Sequence, residues 1–209
     1  MKSTLELILM RHGETEWTES GLLHGHTDIP LSRKGEKQAR DAARRLQGKT
    51  FTVIYSSPLK RAVQTATIMG ENSKLDPIPL AGLSERYYGW GEGKPMFIVD
   101  PTGPQLLRPF VRLLMNLTGE GERQFARRVK STIETIINQH PRGRVLIVTH
   151  WGVLSMIMSL LVDGNLKNAD HYGPWKACGL TTLQQNCRTW KIINHDRPGH
   201  LGQEKVNDQ

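Results

Sequence analysis

Residues 5–13 read LELILMRHG, and residues 146–152 read LIVTHWG. In both stretches a short apolar run ends in a histidine, with a glycine one or two positions later. Short apolar runs predict buried strands, and in an open parallel sheet ligands bind beyond the carboxyl ends of the strands. We therefore expect His12 and His150 at the same edge of a sheet, where they face each other if their strands are neighbours.

Apolar strands alternate with amphipathic helices along the chain. This order predicts an α/β fold with a mostly parallel sheet, and 209 residues suit a single domain, 1–209. Ser57 and Pro58 predict a helix start, because serine caps helices and proline fits the first helical position. The expected strands are 5–10, 53–55, 78–80, 145–149, 180–183 and 189–193, and the expected helices are 33–46, 57–70, 121–139 and 151–161.

The composition favours a protein that binds anions. The net charge is +8 and the isoelectric point about 9.7, so nucleic acid and small phosphate esters are both candidate ligands. Glu36 and Asp41 interrupt the basic face of the first long helix, and no aromatic residue is interleaved there for base stacking. We interpret this face as a solvated surface and expect no nucleic-acid partner. Its basic residues are Arg33, Lys37, Arg40 and Arg44.

The sequence indicates a cytoplasmic protein without a membrane segment or a metal. No secretory signal precedes the first strand, and the apolar run Val153–Val162 is too short for a bilayer, which needs about 20 residues. Cys178 and Cys187 are too few for a disulfide framework and form no CxxC pair. His24 and His26 lack an obvious third ligand, so we predict neither a metal nor another cofactor.

Two arginines are expected to join the two histidines. Arg11 directly precedes His12, and Arg61 lies in the first turn of the helix that follows the second strand. The guanidinium fork makes paired, charge-assisted hydrogen bonds to phosphate. The helix that begins at Trp151 adds backbone N–H groups and the positive end of its dipole. These strand ends predict a phosphate pocket formed without a metal.

The same charges indicate a role for His12. Positive charge nearby disfavours imidazolium, so His12 should stay neutral near pH 7 and attack phosphorus as a covalent nucleophile. The leaving alkoxide then needs a proton. Glu85, in the loop 83–89, is the best candidate for this donor, because neighbouring aromatic residues partly desolvate a carboxyl group there.

Several motifs together resemble the histidine phosphatase superfamily, in the branch that includes cofactor-dependent phosphoglycerate mutases and α-ribazole phosphatases. Residues 11–15 (RHGET) resemble its signature, and further matches follow in the right order over nearly the whole chain. Together the motifs are highly specific, whereas RHG alone is not. The further matches are 24–31 (HGHTDIPL), 35–39 (GEKQA), 56–66 (SSPLKRAVQTA), 83–93 (LSERYYGWGEG) and 148–150 (VTH).

The resemblance implies a role for five residues and an architecture. His12 would be the nucleophile and Glu85 the proton donor, and phosphate would be bound by Arg11, Arg61 and His150. The implied fold is a three-layer α/β/α sandwich. Both implications agree with the interpretation of the residues themselves.

Three positions depart from the family pattern. Thr18 stands where many members have asparagine, and Trp151 stands where glycine is common. Residues 119–122 read GEGE where members often read GGES. These departures concern the substrate rather than the reaction class.

The sequence leaves two reactions open, a phosphatase and a phosphoglycerate mutase. Residues 85–89 (ERYYG) are close to the ERHYG of the mutases, which would let Arg86, Tyr88 and Lys94 bind a substrate carboxylate. However, the segment between Glu85 and His150 is short and lacks the paired arginines of those mutases. Its apolar part forms either an ordinary core-packing helix or a substrate-specificity insert, or lid, at 86–118. A lid of this kind favours a phosphatase for bulky or partly apolar phosphomonoesters over a mutase. The expected substrate-binding residues are Thr18, Thr27, Arg86, Tyr88, Lys94, Trp151 and Gly152.

Other function classes fit less well. Residues 89–95 (GWGEGKP) fail the P-loop pattern, because Tyr88 stands at its first glycine and Pro95 at the position that holds magnesium. No G-x-S-x-G motif is present for a serine hydrolase. A binding protein that has lost catalysis ranks low, since all five core positions are present. A homodimer is compatible with the sequence.

Overall fold

The computed structural model describes residues 4–96, 108–165, 169–187 and 189–196. It contains a six-stranded sheet in the order β3-β2-β4-β1-β5-β6. Strands β1 to β4 run parallel to one another, β5 is antiparallel to β1, and β6 is antiparallel to β5. The strands are β1 Leu5–Arg11, β2 Val53–Ser56, β3 Ile78–Pro79, β4 Gly143–Thr149, β5 Leu180–Asn186 and β6 Thr189–His195.

Helices cover both faces of this sheet, so the predicted three-layer α/β/α sandwich is confirmed. Successive residues of β1 point to opposite faces: Leu7 and Leu9 join one buried cluster with helices α5 and α6, whereas Ile8 and Met10 join a second cluster with α2 and α3. The helices are α1 Glu16–Glu19, α2 Arg33–Arg45, α3 Lys60–Gly70, α4 Arg108–Thr118, α5 Glu122–Gln139 and α6 Trp151–Val162. Single 3-10 turns lie at Glu71–Ser73, Ala81–Leu83, Gly89–Gly91 and Ala169–Tyr172.

The two strands that end in histidine are neighbours in the centre of the sheet. Arg11 is paired in register with Thr149, and the His12 backbone N–H donates to the Thr149 carbonyl at 2.9 Å. Both strands are apolar over most of their length and buried on both faces, as a central parallel strand requires. The register therefore places His12 and His150 side by side at one edge of the sheet.

The predicted start of the second helix is wrong. Helix α3 begins at Lys60 with Leu59 at its N-cap position, and no side chain caps it there. The Asp28 carboxylate instead accepts from the Lys60 backbone N–H at 2.7 Å. The Ser57 hydroxyl lies outside the helix, where it accepts from His150 at 2.7 Å and from the Leu59 N–H at 3.3 Å.

The predicted insert 86–118 is described in two parts, because residues 97–107 lie outside the described ranges. Its second part, helix α4, buries Val111 and leaves Phe110, Leu113 and Leu117 exposed. None of the helices in the described ranges is long and apolar enough to span a membrane.

Candidate active site

The site is formed around the two histidines at the ends of β1 and β4. The centres of the His12 and His150 rings are 5.0 Å apart with a tilt of 61°. Both side chains are buried, and the fully buried Arg61 side chain lies beside them. The structure thus brings together the residues that the sequence analysis placed at three separate strand ends.

Arg61 is held in the site by three hydrogen bonds. Its terminal nitrogens donate to the carbonyl oxygens of Thr27 at 2.9 Å and Gly25 at 2.8 Å, and its Nε donates to His150 Nδ1 at 3.3 Å. Burial is the largest cause that lowers the pKa of this guanidinium, to about 10. The group therefore stays charged at neutral pH and supplies a fixed positive charge.

Arg11, which is half-buried, contributes a second guanidinium with an available donor. One terminal nitrogen donates to the Trp175 carbonyl at 2.7 Å, whereas Nε is buried and has no hydrogen-bond partner among the described residues. The Trp151 ring covers this guanidinium at 5.3 Å. The backbone of Gly173 lies against the same indole, where a Cβ atom would come within 2.8 Å of the ring.

The surroundings of His12 determine its charge and its tautomer. Burial, and then the charges of Arg61 and Arg11, lower the pKa of its imidazole well below the usual value. The ring is therefore neutral at pH 7. Its Nδ1 lies 2.7 Å from the Gly13 carbonyl oxygen, and because a carbonyl can only accept, Nδ1 carries the proton. The lone pair of His12 is consequently on Nε2.

His150 has the opposite tautomer. Its pKa is also lowered well below the usual value, first by burial and then by Arg61. Because an arginine can only donate, the 3.3 Å bond from Arg61 makes His150 Nδ1 the acceptor, and the ring proton must be on Nε2. That proton is donated to the Ser57 hydroxyl oxygen at 2.7 Å. Ser57 also accepts from the Leu59 N–H at 3.3 Å, so its own proton is used in neither bond.

Glu85 is a buried carboxyl group beside the first turn of α6. Its two oxygens accept from the Gly152 N–H at 3.0 Å and from the Arg86 N–H at 2.8 Å. Burial raises the pKa of this carboxyl, although those N–H groups and the two guanidiniums act in the opposite direction. A raised pKa favours the protonated form, which a proton donor needs. A Cβ atom at position 152 would lie 2.5 Å from a Glu85 oxygen, so a side chain there would displace the carboxyl group.

Three of the predicted substrate-binding side chains are hydrogen-bonded to other parts of the protein. The Thr18 hydroxyl bonds to the N–H and hydroxyl of Thr15 at the start of α1, and the Thr27 hydroxyl donates to Glu92. Arg86 donates to the Glu120 carbonyl at 2.9 Å and to the Asn116 side chain at 3.0 Å.

The remaining predicted substrate-binding residues contact aromatic rings or residues of the active site. The Tyr88 ring lies 5.7 Å from the Arg86 guanidinium, and Lys94 Nζ lies 5.4 Å from the centre of the Trp90 ring. Gly152 contacts Glu85, and Trp151 contacts Arg11. Their role toward a substrate stays a prediction.

A third histidine, His24, also lies in the site. From the sequence it was weighed only as a metal ligand. His24 bonds to the Thr15 hydroxyl at 2.6 Å, and its ring centre is 6.4 Å from that of His12. Burial, and then Arg61 and Arg11, lower its pKa to about 4. Within the described ranges, no group of three or more His, Cys, Asp or Glu side chains is arranged to hold a metal ion.

Two further side chains were not singled out from the sequence. Glu92 accepts from the backbone N–H groups of His26 and Thr27, both at 2.8 Å, and so joins the loop below Arg61 to the segment after Glu85. Arg128, in α5, contacts the Glu85 segment from the other side. Neither residue stands in a local pattern that predicts such a long-range contact.

A mostly parallel sheet with two buried histidines and two arginines at its carboxyl edge is typical of an α/β enzyme that binds phosphate. The chain belongs to the histidine phosphatase superfamily, branch 1, whose family model matches residues 7–196. The uncharacterized phosphatase PhoE of Bacillus subtilis is 32% identical over 93% of this chain and 96% of its own length. Phosphoserine phosphatase 1 of Hydrogenobacter thermophilus is 34% identical over 95% of both chains.

The solved structures support the same fold. The α-ribazole phosphatase of Shigella flexneri superposes with a TM-score of 0.78 at 24% identity, over 91% of this chain and 95% of that one. A phosphoglycerate mutase-like protein of Arabidopsis thaliana is also among the relatives. Family membership therefore agrees with both reactions that the sequence left open, and the Bacillus and Hydrogenobacter relatives, which match over more than 90% of the chain, are named as phosphatases.

Proposed function

We propose that this protein is a phosphatase for small-molecule phosphomonoesters and acts through a covalent phosphohistidine at His12. The observation that carries the proposal is the state of His12: a neutral ring, with its proton held by the Gly13 carbonyl and its lone pair on Nε2. A neutral imidazole of this kind attacks phosphorus and accepts the phosphoryl group. The phosphatase names of relatives that match over nearly the full chain support the reaction class.

In the first step, His12 Nε2 forms a bond to phosphorus while the bond from phosphorus to the ester oxygen breaks. The leaving oxygen takes the proton of Glu85, so an alcohol departs and Glu85 becomes a carboxylate. In the second step, water attacks phosphorus and gives a proton to Glu85, and the N–P bond breaks. The products are inorganic phosphate and the original neutral His12 with a protonated Glu85.

The transferring oxygens would be bound by donors that the fold holds in place. Arg11 Nε is buried without a partner among the described residues, and Arg61 uses three of its five N–H groups in bonds to the protein. The Ser57 hydroxyl has a proton that its two accepted bonds do not use, and the His150 Nε2–H group, which donates to Ser57, would turn to the phosphoryl oxygen when substrate binds. Such preorganised donors stabilise the charge that develops on the phosphoryl group.

The contacts around the pocket favour a phosphatase over a mutase. Arg86 would have to release Glu120 and Asn116 to bind a substrate carboxylate, and Lys94 lies against Trp90. Helix α4 also exposes large apolar side chains, of which Phe110 is one. We therefore propose that the segment 86–118 selects bulkier phosphomonoesters and belongs to a single domain with the pocket.

The test is a phosphate-release screen combined with trapping of the intermediate. The purified protein is incubated with a panel of phosphomonoesters, and the phosphorylated residue is mapped by mass spectrometry without acid treatment. We expect phosphate release and a phosphoryl group on His12, with neither in His12→Ala. Covalent phosphate on another residue, or undiminished turnover in His12→Ala, would contradict the proposal. Strong inhibition by a chelator would contradict the metal-independent route.

The mutase is separated from the phosphatase by product analysis. With 3-phosphoglycerate as substrate, a phosphatase releases inorganic phosphate and glycerate, whereas a mutase gives 2-phosphoglycerate. Accumulation of 2-phosphoglycerate without phosphate release would replace the proposed function by the mutase reaction.

A further inference from the structure

Arg128 makes an unusual number of contacts to the segment that carries Glu85. Its side chain donates to the carbonyl oxygens of Gly82 at 3.0 Å, Ser84 at 2.9 Å and Glu85 at 3.3 Å. The same guanidinium donates to both oxygens of Glu120, at 2.9 and 2.6 Å. One side chain of helix α5 thus fixes three carbonyl groups of the loop that ends in the proposed proton donor.

Glu120 is part of this arrangement and connects it to the far side of the same loop. Its carboxylate is buried, its backbone N–H donates to the Tyr87 carbonyl at 2.7 Å, and its own carbonyl accepts from Arg86 at 2.9 Å. The contacts of Glu120 and Arg128 therefore lie on both sides of Glu85 in the sequence. His26 donates to the Glu85 carbonyl as well, at 2.8 Å.

We infer that Arg128, together with Glu120, is a positioning residue that holds the Glu85 carboxyl where it can protonate the leaving oxygen. Arg128 contacts the backbone of the loop and not the carboxyl oxygens, which accept from Gly152 and Arg86. It acts through geometry, and catalytic groups must be held to within about 0.5 Å for efficient transfer. The inference rests on the proposed function, because it assigns Arg128 to the proton-transfer step.

Arginine suits this place for a chemical reason. Its planar guanidinium presents five N–H donors in a fixed fork, whereas lysine has a compact ammonium group on a flexible chain. Five acceptors around one side chain, two of them on a buried carboxylate, match the fork. A lysine at 128 would keep the charge beside Glu120 but lose the simultaneous contacts to Gly82 and Ser84.

The experiment compares two esters that differ in their need for a proton. p-Nitrophenolate leaves unaided, whereas the alkoxide of glycerol phosphate must be protonated, so only the alkyl ester depends on Glu85. The value of kcat/KM reports the steps up to departure of the alcohol. We expect Arg128→Lys to lower kcat/KM for glycerol phosphate by about 10²-fold, and to change that for p-nitrophenyl phosphate only a few-fold.

Four further variants complete the design. Glu85→Gln should show the same selective loss, and adding Arg128→Lys to it should cause no further selective loss, because both changes act on one step. Arg127→Lys is the matched control, since Arg127 is exposed and, among the described residues, bonds within its own helix by the 3.2 Å contact to Arg123. Glu120→Gln should give a smaller selective loss and serves if Arg128→Lys does not fold.

Each outcome has one meaning. Equal losses on the two esters in Arg128→Lys or Glu120→Gln, or a selective loss that adds fully to that of Glu85→Gln, would overturn the positioning role. If Glu85→Gln itself shows no selectivity, or the unaltered protein releases phosphate from neither ester, the proposed function fails and the inference falls with it. A selective loss in Arg128→Lys at unchanged Tm supports it.

Discussion

His12 and His150 occupy equivalent places in the fold and hold their protons on opposite nitrogens. Each follows the last residue of a central parallel strand, and the two strands are in register. His12 gives its Nδ1 proton to a carbonyl, whereas His150 accepts at Nδ1 from Arg61 and keeps its proton on Nε2. The difference shows that one partner atom, a carbonyl oxygen or a guanidinium nitrogen, decides whether a strand-end histidine offers a lone pair or a proton.

The largest expected effects come from removing each imidazole ring in turn, which tests whether His12 and His150 have different roles. His12→Ala should lower turnover by roughly 10⁴-fold or more, because no nucleophile remains, whereas His150→Ala should cost about 10²–10³-fold, the value of one donor to a transferring group. Steady-state rates on an aryl phosphate measure both. His150→Ala should still form phosphohistidine at His12; loss of that intermediate would make the two roles indistinguishable.

The next effect tests the bond that sets the His150 tautomer. Arg61→Lys removes the Nε–H donor and two bonds to loop carbonyls, so His150 is no longer held with its proton on Nε2. We expect kcat/KM to fall by about 10²-fold. Lys60→Arg, one residue earlier on the exposed side of α3, is the control and should retain full activity. Near-normal activity in Arg61→Lys would show that catalysis does not depend on the His150 tautomer that Arg61 sets.

The pH dependence of kcat/KM tests the protonation states that His12 and Glu85 need for catalysis. His12 has a lowered pKa and must be neutral to attack, so activity is lost only as pH falls through that low value. Glu85 has a raised pKa and must be protonated, so activity is lost as pH rises through it. An alkyl phosphate should give a bell-shaped profile that falls about tenfold per pH unit outside each limit. With p-nitrophenyl phosphate, the loss of kcat/KM as pH rises through the Glu85 pKa should vanish. If that loss persists, Glu85 is not the proton donor.

The smallest expected effect concerns Ser57. Ser57→Ala removes the acceptor of the His150 proton and one hydroxyl donor, a neutral hydrogen bond of about 0.5–1.5 kcal/mol. We expect kcat/KM to fall by roughly tenfold or less, with unchanged phosphorylation at His12. Ser56→Ala is a useful neighbour control, because the Ser56 hydroxyl is buried and has no partner among the described residues. A larger loss in Ser56→Ala than in Ser57→Ala would contradict the role of Ser57.

The sequence predicted the part of the site that depends on strand ends. An apolar run that stops at His12 or His150 is a local signal, and parallel strands bring such ends together by topology. Arg61 follows from the same logic, because it lies in the first turn of a helix after a strand. The predicted start of that helix at Ser57 was wrong: the helix begins at Lys60, whose backbone N–H bonds to Asp28, a residue 32 positions away in the chain.

The rest of the site depends on contacts between distant segments. Thr27 and Arg86 were expected at the substrate, yet their polar atoms bond to Glu92 and Glu120. Arg128 stands in an ordinary helical pattern, where a partly exposed basic residue is the usual finding. No spacing rule distinguishes an arginine in solvent from one that binds three carbonyl groups across the fold.

The Nε of Arg11, which has no hydrogen-bond partner among the described residues, links the thermal stability of the protein to its own product. An oxyanion at this place would accept a charge-assisted hydrogen bond from that buried N–H group. Inorganic phosphate should therefore raise Tm in proportion to its binding free energy and inhibit turnover competitively. Conditions that protect the fold would then be the same conditions that slow the enzyme.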